Sequence, residues 1–352
     1  MGHKTTKGAC DVNEILKLQQ KIVPELIEVL EKRYNILRTI YYNEPIGRRI
    51  LANELNLGER IVRTEINFLK SQNLINISTP GMTVTEEGKE VLEKLKECIY
   101  DIKGLSDLEI SIRQLLGIKK VIIVPGDLDE DDSVLKELGK AAATYIKTAL
   151  NSKNVITLTG GSTIREVVDN FPTCNLFKDI LVLPARGGMG RNIETQANTL
   201  AGNLAKKLGG TYKMLHVPDN LSHKAIDTIL QEDYIEDMIE SIKNANMLIY
   251  GIGEAETMCL KRGMNEEKIH EIMAKGAVGE AFGCYFSKDG EVVYSISSIG
   301  VTKEDSKNIK ELIAVAGGSK KANAIIAAEL DNSSGVLITD EGAARKILDS
   351  FK

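Results

Sequence analysis

Val155-Ile156-Thr157-Leu158-Thr159-Gly160-Gly161-Ser162-Thr163 is an apolar run of strand length, a glycine pair and two hydroxyl residues that open a helix. A strand without a polar face belongs inside a sheet covered on both sides. Similar runs stand at 121–124, 180–183, 214–217, 247–250, 312–315 and 335–338, with helical segments between most of them. Short apolar strands alternating with helices predict an α/β domain built on a largely parallel sheet. In such a sheet ligands bind in the loops at the carboxyl ends of the strands. Four of these loops are rich in glycine. They are Thr159-Gly160-Gly161-Ser162-Thr163, Ala185-Arg186-Gly187-Gly188-Met189-Gly190, Gly251-Ile252-Gly253-Glu254 and Ala316-Gly317-Gly318-Ser319-Lys320-Lys321. Two set glycines beside a hydroxyl at a helix start, and two carry Arg or Lys, which is the chemistry of a phosphate cradle. None fits the ATP-type phosphate loop or the dinucleotide fingerprint. A phosphorylated small molecule is the ligand expected, and more than one cationic loop predicts more than one phosphate.

The first hundred residues read differently. Helical spacing runs over residues 13–42, from Ile15, Leu18 and Ile22 to Leu37 and Ile40, with a break at Pro24 and a stop at Pro45. Two short helices, 47–56 and 59–71, meet at Leu57-Gly58, the spacing of a helix-turn-helix. On the second, Val62, Ile66 and Leu69 share one face, and Arg60, Arg63, Thr64 and Asn67 share the other. Arg and Asn side chains donate to guanine and adenine edges, and Thr contacts thymine. Residues 74–84 read as strand, turn and strand, followed by a helix capped by Thr85, so that the whole is a winged helix. Between residues 32 and 70 there are eight basic residues (Lys32, Arg33, Arg38, Arg48, Arg49, Arg60, Arg63 and Lys70) against four acidic ones. A basic patch on a chain of net charge -5 is the footprint of a nucleic-acid reader. Arg48, Arg49, Arg60, Arg63, Thr64, Asn67 and Lys70 are the expected DNA contacts. The boundary is placed at Gly104, giving a DNA-binding domain over 1–104 and an effector and oligomerisation domain over 105–352.

Composition narrows the alternatives. With 43% hydrophobic and 27% charged residues the 352-residue chain buries a core. No apolar run approaches the roughly 20 residues of a membrane span, and residues 1–12 lack the apolar centre of a signal peptide, so a cytoplasmic protein without membrane contact is expected. The five cysteines and four histidines are scattered, which offers neither a zinc site nor a disulfide framework.

The segments Glu44-Pro45-Ile46-Gly47-Arg48-Arg49, Thr159-Gly160-Gly161-Ser162-Thr163, Pro184-Ala185-Arg186-Gly187-Gly188, Gln196-Ala197-Asn198-Thr199, Gly251-Ile252-Gly253-Glu254-Ala255, Glu280-Ala281-Phe282-Gly283 and Val315-Ala316-Gly317-Gly318-Ser319, in unbroken order, resemble the SorC family of sugar-responsive transcriptional repressors. The resemblance implies a winged-helix repressor of a glycolytic operon, a dimer or tetramer on its operator, with fructose 1,6-bisphosphate as effector; no cofactor or metal is expected. It implies an effector domain similar to sugar-phosphate isomerases and deaminases. By motif, it places the phosphate loop on Gly160, Gly161, Ser162 and Thr163, and further effector contacts on Arg186, Gln196, Glu280 and Lys321. A family Arg pair falls on Lys261 and Arg262, leaving open which of the two reaches the ligand. Each residue also has a plainer role: Arg186 paired with Glu194 or Glu280, Gln196 as a helix cap, Lys261 as a solvated charge, Glu280 buried against an arginine. The competing function is an isomerase or deaminase with an appended DNA-binding domain. Deaminases of this fold carry Asp-Gly-His just beyond the Gly-Ile-Gly segment, where this chain has Glu254-Ala255-Glu256-Thr257-Met258, so a non-catalytic sensor is expected.

Overall fold

The computed structural model describes residues 21–174, 177–188, 192–218, 222–330 and 332–352. The chain divides into two compact units between Asp107 and Leu108, three residues beyond Gly104, whose φ of +63° ends a helix. Residues 13–20 of the helix expected before the break at Pro24, and Met189 and Gly190 of the second loop, lie outside the described residues.

The first unit is built around a helix over Pro24–Asn43, which Pro24 starts at a position where its missing N–H costs nothing. The helix-turn-helix follows as Arg48–Glu54 and Glu59–Ser71. Strands β1 (Ile75–Ser78) and β2 (Gly81–Val84) form the wing, and Ile46 adds a backbone bridge to Met82 of β2. Gly81 is required there, because a Cβ would stand 2.9 Å from the Ile46 backbone. Thr85 caps the helix over Glu86–Ile102 by accepting from the Gly88 amide at 3.0 Å. Ile36, Leu37, Ile40, Leu51, Val62 and Ile66 centre the core.

The second unit holds a seven-stranded parallel sheet in the order β6 (Thr211–Tyr212), β5 (Leu181–Pro184), β4 (Val155–Leu158), β7 (Met247–Glu254), β11 (Glu311–Val315), β12 (Gly335–Asp340), β3 (Lys120–Val124). Each strand from β4 to β6 steps outward on one side, and β7, β11 and β12 step outward on the other. The crevice between β4 and β7 is therefore a topological switch point, where open α/β sheets bind ligands. Helices Ser133–Ala149, Ser162–Asp169 and Ala197–Leu208 seal one face with an aliphatic core.

Three features differ from the expectation. Residues 251–254 are not a loop: β7 runs on through them and pairs antiparallel with β8 (Ala277–Ala281), which continues to β9 (Cys284–Ser287) and β10 (Val292–Ser295). The segment 214–217 is not a strand, because the Asn198 side chain takes the Leu215 N–H and C=O, each at 2.9 Å, in place of a ladder partner. And the three antiparallel strands β8 to β10 lie outside the seven apolar runs.

Candidate functional site

In the first unit, Val62, Ile66 and Leu69 are buried, while Arg60, Arg63, Thr64, Asn67 and Lys70 are exposed on the same helix. Arg48 and Arg49 are exposed at the start of the preceding helix. Cations at a helix N-terminus oppose its dipole, so local stability does not account for them. The basic patch is smaller than counted. Arg38 is buried, with its guanidinium 5.8 Å from the centre of the Tyr34 ring. Lys32 and Arg33 close on Glu65 at 2.9 and 2.8 Å. Burial pushes the Glu65 carboxyl up, but hydrogen bonds from Arg33 and Lys32 outweigh it and hold the group below its ordinary value. Arg33 also lies 3.6 Å over the Phe68 ring. Glu65 thus fixes the back of the helix over Glu59–Ser71, the expected recognition helix, to the helix over Pro24–Asn43. The five exposed cations left are Arg48, Arg49, Arg60, Arg63 and Lys70, of which Arg49 reaches the exposed Glu59 at 3.7 Å.

In the second unit a cavity of about 400 Å³ opens at the switch point. Gly160, Gly161, Ser162, Thr163, Arg186, Gln196, Lys261, Arg262, Glu280 and Lys321, the residues implied by the resemblance, all line it. Asn192, Thr195, Glu254, Thr257 and Phe282 line it as well, and were not among the residues expected to touch ligand. Asn192 and Thr195 have a sequence signal only in their nearness to Gln196.

One end of the cavity is a helix start. Gly161, at φ +122°, precedes the helix over Ser162–Asp169 and offers no side-chain cap, and among the described residues the Ser162 and Thr163 amides have no partner. Uncapped amides at a helix N-terminus accept an anion. Gly160 can be nothing else, since a Cβ would meet the Thr195 carbonyl oxygen at 2.5 Å.

Cations supply the rest. Arg262 donates to Glu280 at 2.9 Å, and Glu280 Oε1 also accepts from the Gly283 amide at 2.6 Å. Glu280 is therefore buried against an arginine. Glu194 pairs with Arg165 at 2.6 Å. Arg186 donates to Ser298 and packs across Gly283, where even a Cβ would collide with the guanidinium. Gln196 precedes the helix over Ala197–Leu208 without capping it through its side chain. Lys261 is exposed at the cavity, whereas Lys321 is largely enclosed. Burial, and then the neighbouring Lys261, push the Lys321 ammonium below its ordinary value.

The loop before Lys321 does not present its amides to a ligand, contrary to expectation. The Gly318 amide donates to Asp340 at 2.7 Å, the Ser319 amide to Asp127 at 3.2 Å and the Lys320 amide to Asp129 at 2.8 Å. Three carboxylates of the chain occupy this helix start, so only the Lys321 side chain is offered to the cavity.

The hairpin between β8 and β9 turns through Phe282 and Gly283, both in the left-handed region at φ +35° and +86°. A bulky residue there costs on the order of 1–3 kcal/mol. Histidine, the commonest general base, is absent from the described lining, and His270 is exposed on the helix over Glu266–Ala274.

Residues 29–99 match the family model for the CggR N-terminal DNA binding domain, and residues 100–349 match that for the sugar-binding domain. The central glycolytic genes regulator of Bacillus subtilis (strain 168) is 44% identical over 337 residues, covering 96% of this chain and 99% of its own. The chain belongs to the SorC family of regulators. Its counterpart from Priestia megaterium is 42% identical over 341 residues, with 97% and 100% covered. A solved structure from Enterococcus faecalis described as a SorC family transcriptional regulator has 35% identity and a TM-score of 0.63, covering 69% of this chain and 99% of that one. The full-length sorbitol operon regulator SorC from Klebsiella pneumoniae, at 17% identity and a TM-score of 0.62 over 89% of this chain and 97% of its own, shares the fold. As a SorC member, the chain is a DNA-binding, sugar-responsive transcriptional repressor and not an enzyme. Among the described residues no helix is long and apolar enough to cross a membrane.

Proposed function

We propose that this SorC repressor controls a glycolytic operon and that its effector is a sugar bisphosphate, fructose 1,6-bisphosphate. One observation carries the reading: the cavity offers two different anion sites, the uncapped helix start at Ser162 and Thr163, and the cations Arg186, Lys261 and Lys321. A monophosphate satisfies one of these sites, and a bisphosphate satisfies both. Each charge-assisted hydrogen bond contributes about 1.5–3 kcal/mol, so the second phosphate improves affinity at least tenfold. The glycolytic target is supported by the names of the Bacillus and Priestia relatives. The repressor acts on operator DNA in the cytoplasm as a homo-oligomer, dimer or tetramer, as the family resemblance implies. Calorimetric titration with fructose 6-phosphate and fructose 1,6-bisphosphate tests the effector. A tenfold or greater preference for the bisphosphate is expected, and equal affinities leave only a generic sugar-phosphate sensor.

A further inference from the structure

Ala281 of β8 pairs with Cys284 of β9, leaving Phe282-Gly283 as a two-residue turn with both φ values positive. This is the type I′ hairpin turn, whose first position asks for Asn, Asp or Gly. Phe282 occupies it against its own steric preference, and making the turn does not account for it. Its ring is buried and meets Tyr250 edge-to-face at 5.2 Å and Phe286 at 6.4 Å. It also lines the effector cavity, the one aromatic among the described lining residues. The same hairpin tip carries Glu280, which holds Arg262, and Gly283, on which Arg186 packs. An apolar ring is thereby set among groups that recognise phosphate. Amides and cations recognise the charged ends of a ligand but are indifferent to what joins them. A flat aromatic surface distinguishes a chain of C–H groups from water or a bare anion.

We propose that Phe282 reads the carbon skeleton of the effector, which lies against its ring, and so separates phosphorylated sugars from inorganic phosphates. The inference rests on the sugar-phosphate reading above and adds the residue that selects for the sugar. An outlier conformation held at a binding site is a position where backbone strain is retained for function.

The test uses the full-length chain, wild type and Phe282→Leu, titrated calorimetrically with fructose 1,6-bisphosphate, fructose 6-phosphate and pyrophosphate. Sugar-free operator binding serves as the control for folding. Leu keeps an apolar side chain in the turn but removes the ring. The expected result is a loss of tenfold or more for the sugar phosphates, with pyrophosphate affinity within twofold of wild type. An equal loss for pyrophosphate, or unchanged sugar affinity, overturns the inference. If Phe282→Leu fails to hold operator, Phe282→Tyr, which keeps the ring, must retain the preference for sugar over pyrophosphate, and its loss is equally fatal. A wild-type protein that binds no sugar phosphate more tightly than pyrophosphate instead overturns the sugar-phosphate reading itself.

Discussion

Arg262 and Glu280 form a 2.9 Å ion pair in the wall of the effector cavity, with side chains only 8% and 5% exposed. One of the four cations among the described lining residues is therefore balanced by a carboxylate of the chain, and the proposed anion sites draw on the other three, Arg186, Lys261 and Lys321. Removing one member of a buried pair costs about 3–5 kcal/mol, because the other charge is left uncompensated. Glu280→Gln should lose stability of that order in denaturant unfolding. Added phosphate should recover more of it than in wild type, since the freed Arg262 prefers an anion. Arg262→Ala should be similarly unstable, but phosphate should not rescue it, because the orphan charge is then negative.

Effector affinity should depend on pH through Lys321. Its ammonium titrates below the ordinary lysine range, so bisphosphate binding weakens as pH rises through that lowered value. Linkage fixes the companion effect on stability. A lysine whose folded pKa lies below its unfolded one makes the unfolded chain bind more protons between the two values, so the ligand-free fold gains stability as pH rises across that window. Lys321→Arg, charged throughout, should flatten the alkaline loss of binding. Calorimetry on both proteins across alkaline pH provides the comparison.

Asp340 accepts amide hydrogens from Gly318, Leu128 and Ala343 at 2.7, 2.8 and 2.9 Å. Burial raises its pKa to about 6 in spite of these donors. Asp340→Ala leaves two buried N–H groups, of Gly318 and Ala343, and the half-buried one of Leu128 unmatched, at about 1–3 kcal/mol for each buried group. Hydrogen exchange should accelerate first at those three amides, and bisphosphate affinity should fall as the Lys321 loop loosens. Unchanged exchange at Gly318 counts against the account of this loop.

Arg63→Ala on the exposed face of the recognition helix should lose roughly 1–3 kcal/mol of operator affinity and relax the sequence preference, with sugar binding intact. Glu65→Gln acts from behind the helix. It should weaken operator binding by releasing Lys32 and Arg33, with a fall in thermal stability that Arg63→Ala does not show. A gel-shift series at several salt concentrations and a melting curve separate the two.

Much of this architecture is legible in the sequence, for a physical reason. Strands such as β4 and β12 are buried on both faces, so they stand out as apolar runs. The recognition helix is readable because its two faces differ in kind, Val62 and Ile66 against Arg60 and Arg63. The strand β8 is not, since Ala277-Val278-Gly279-Glu280-Ala281 has no alternation and a single strong β-former, Val278, among Ala, Gly and Glu. Gly279 is set by contact, because a Cβ there would stand 2.7 Å from the Ala324 backbone. The misread strand at 214–217 fails because a side-chain amide from Asn198 substitutes for a neighbour, a contact that apolar periodicity does not register. In the site, the phosphate loop is visible as local chemistry. The capture of the Ser319 and Lys320 amides is not, since Asp127 and Asp129 lie some 190 residues away along the chain.

Under the proposed function, one sugar bisphosphate and operator DNA bind the same molecule at each other's expense. Titrating fructose 1,6-bisphosphate into the full-length repressor, free and saturated with operator, measures this directly. An effector that weakens operator binding must itself bind more weakly to the operator complex, by the same factor. A lower sugar affinity on the operator complex is expected, with a matching loss of operator affinity in saturating sugar. Identical sugar affinities with and without operator would rule that coupling out.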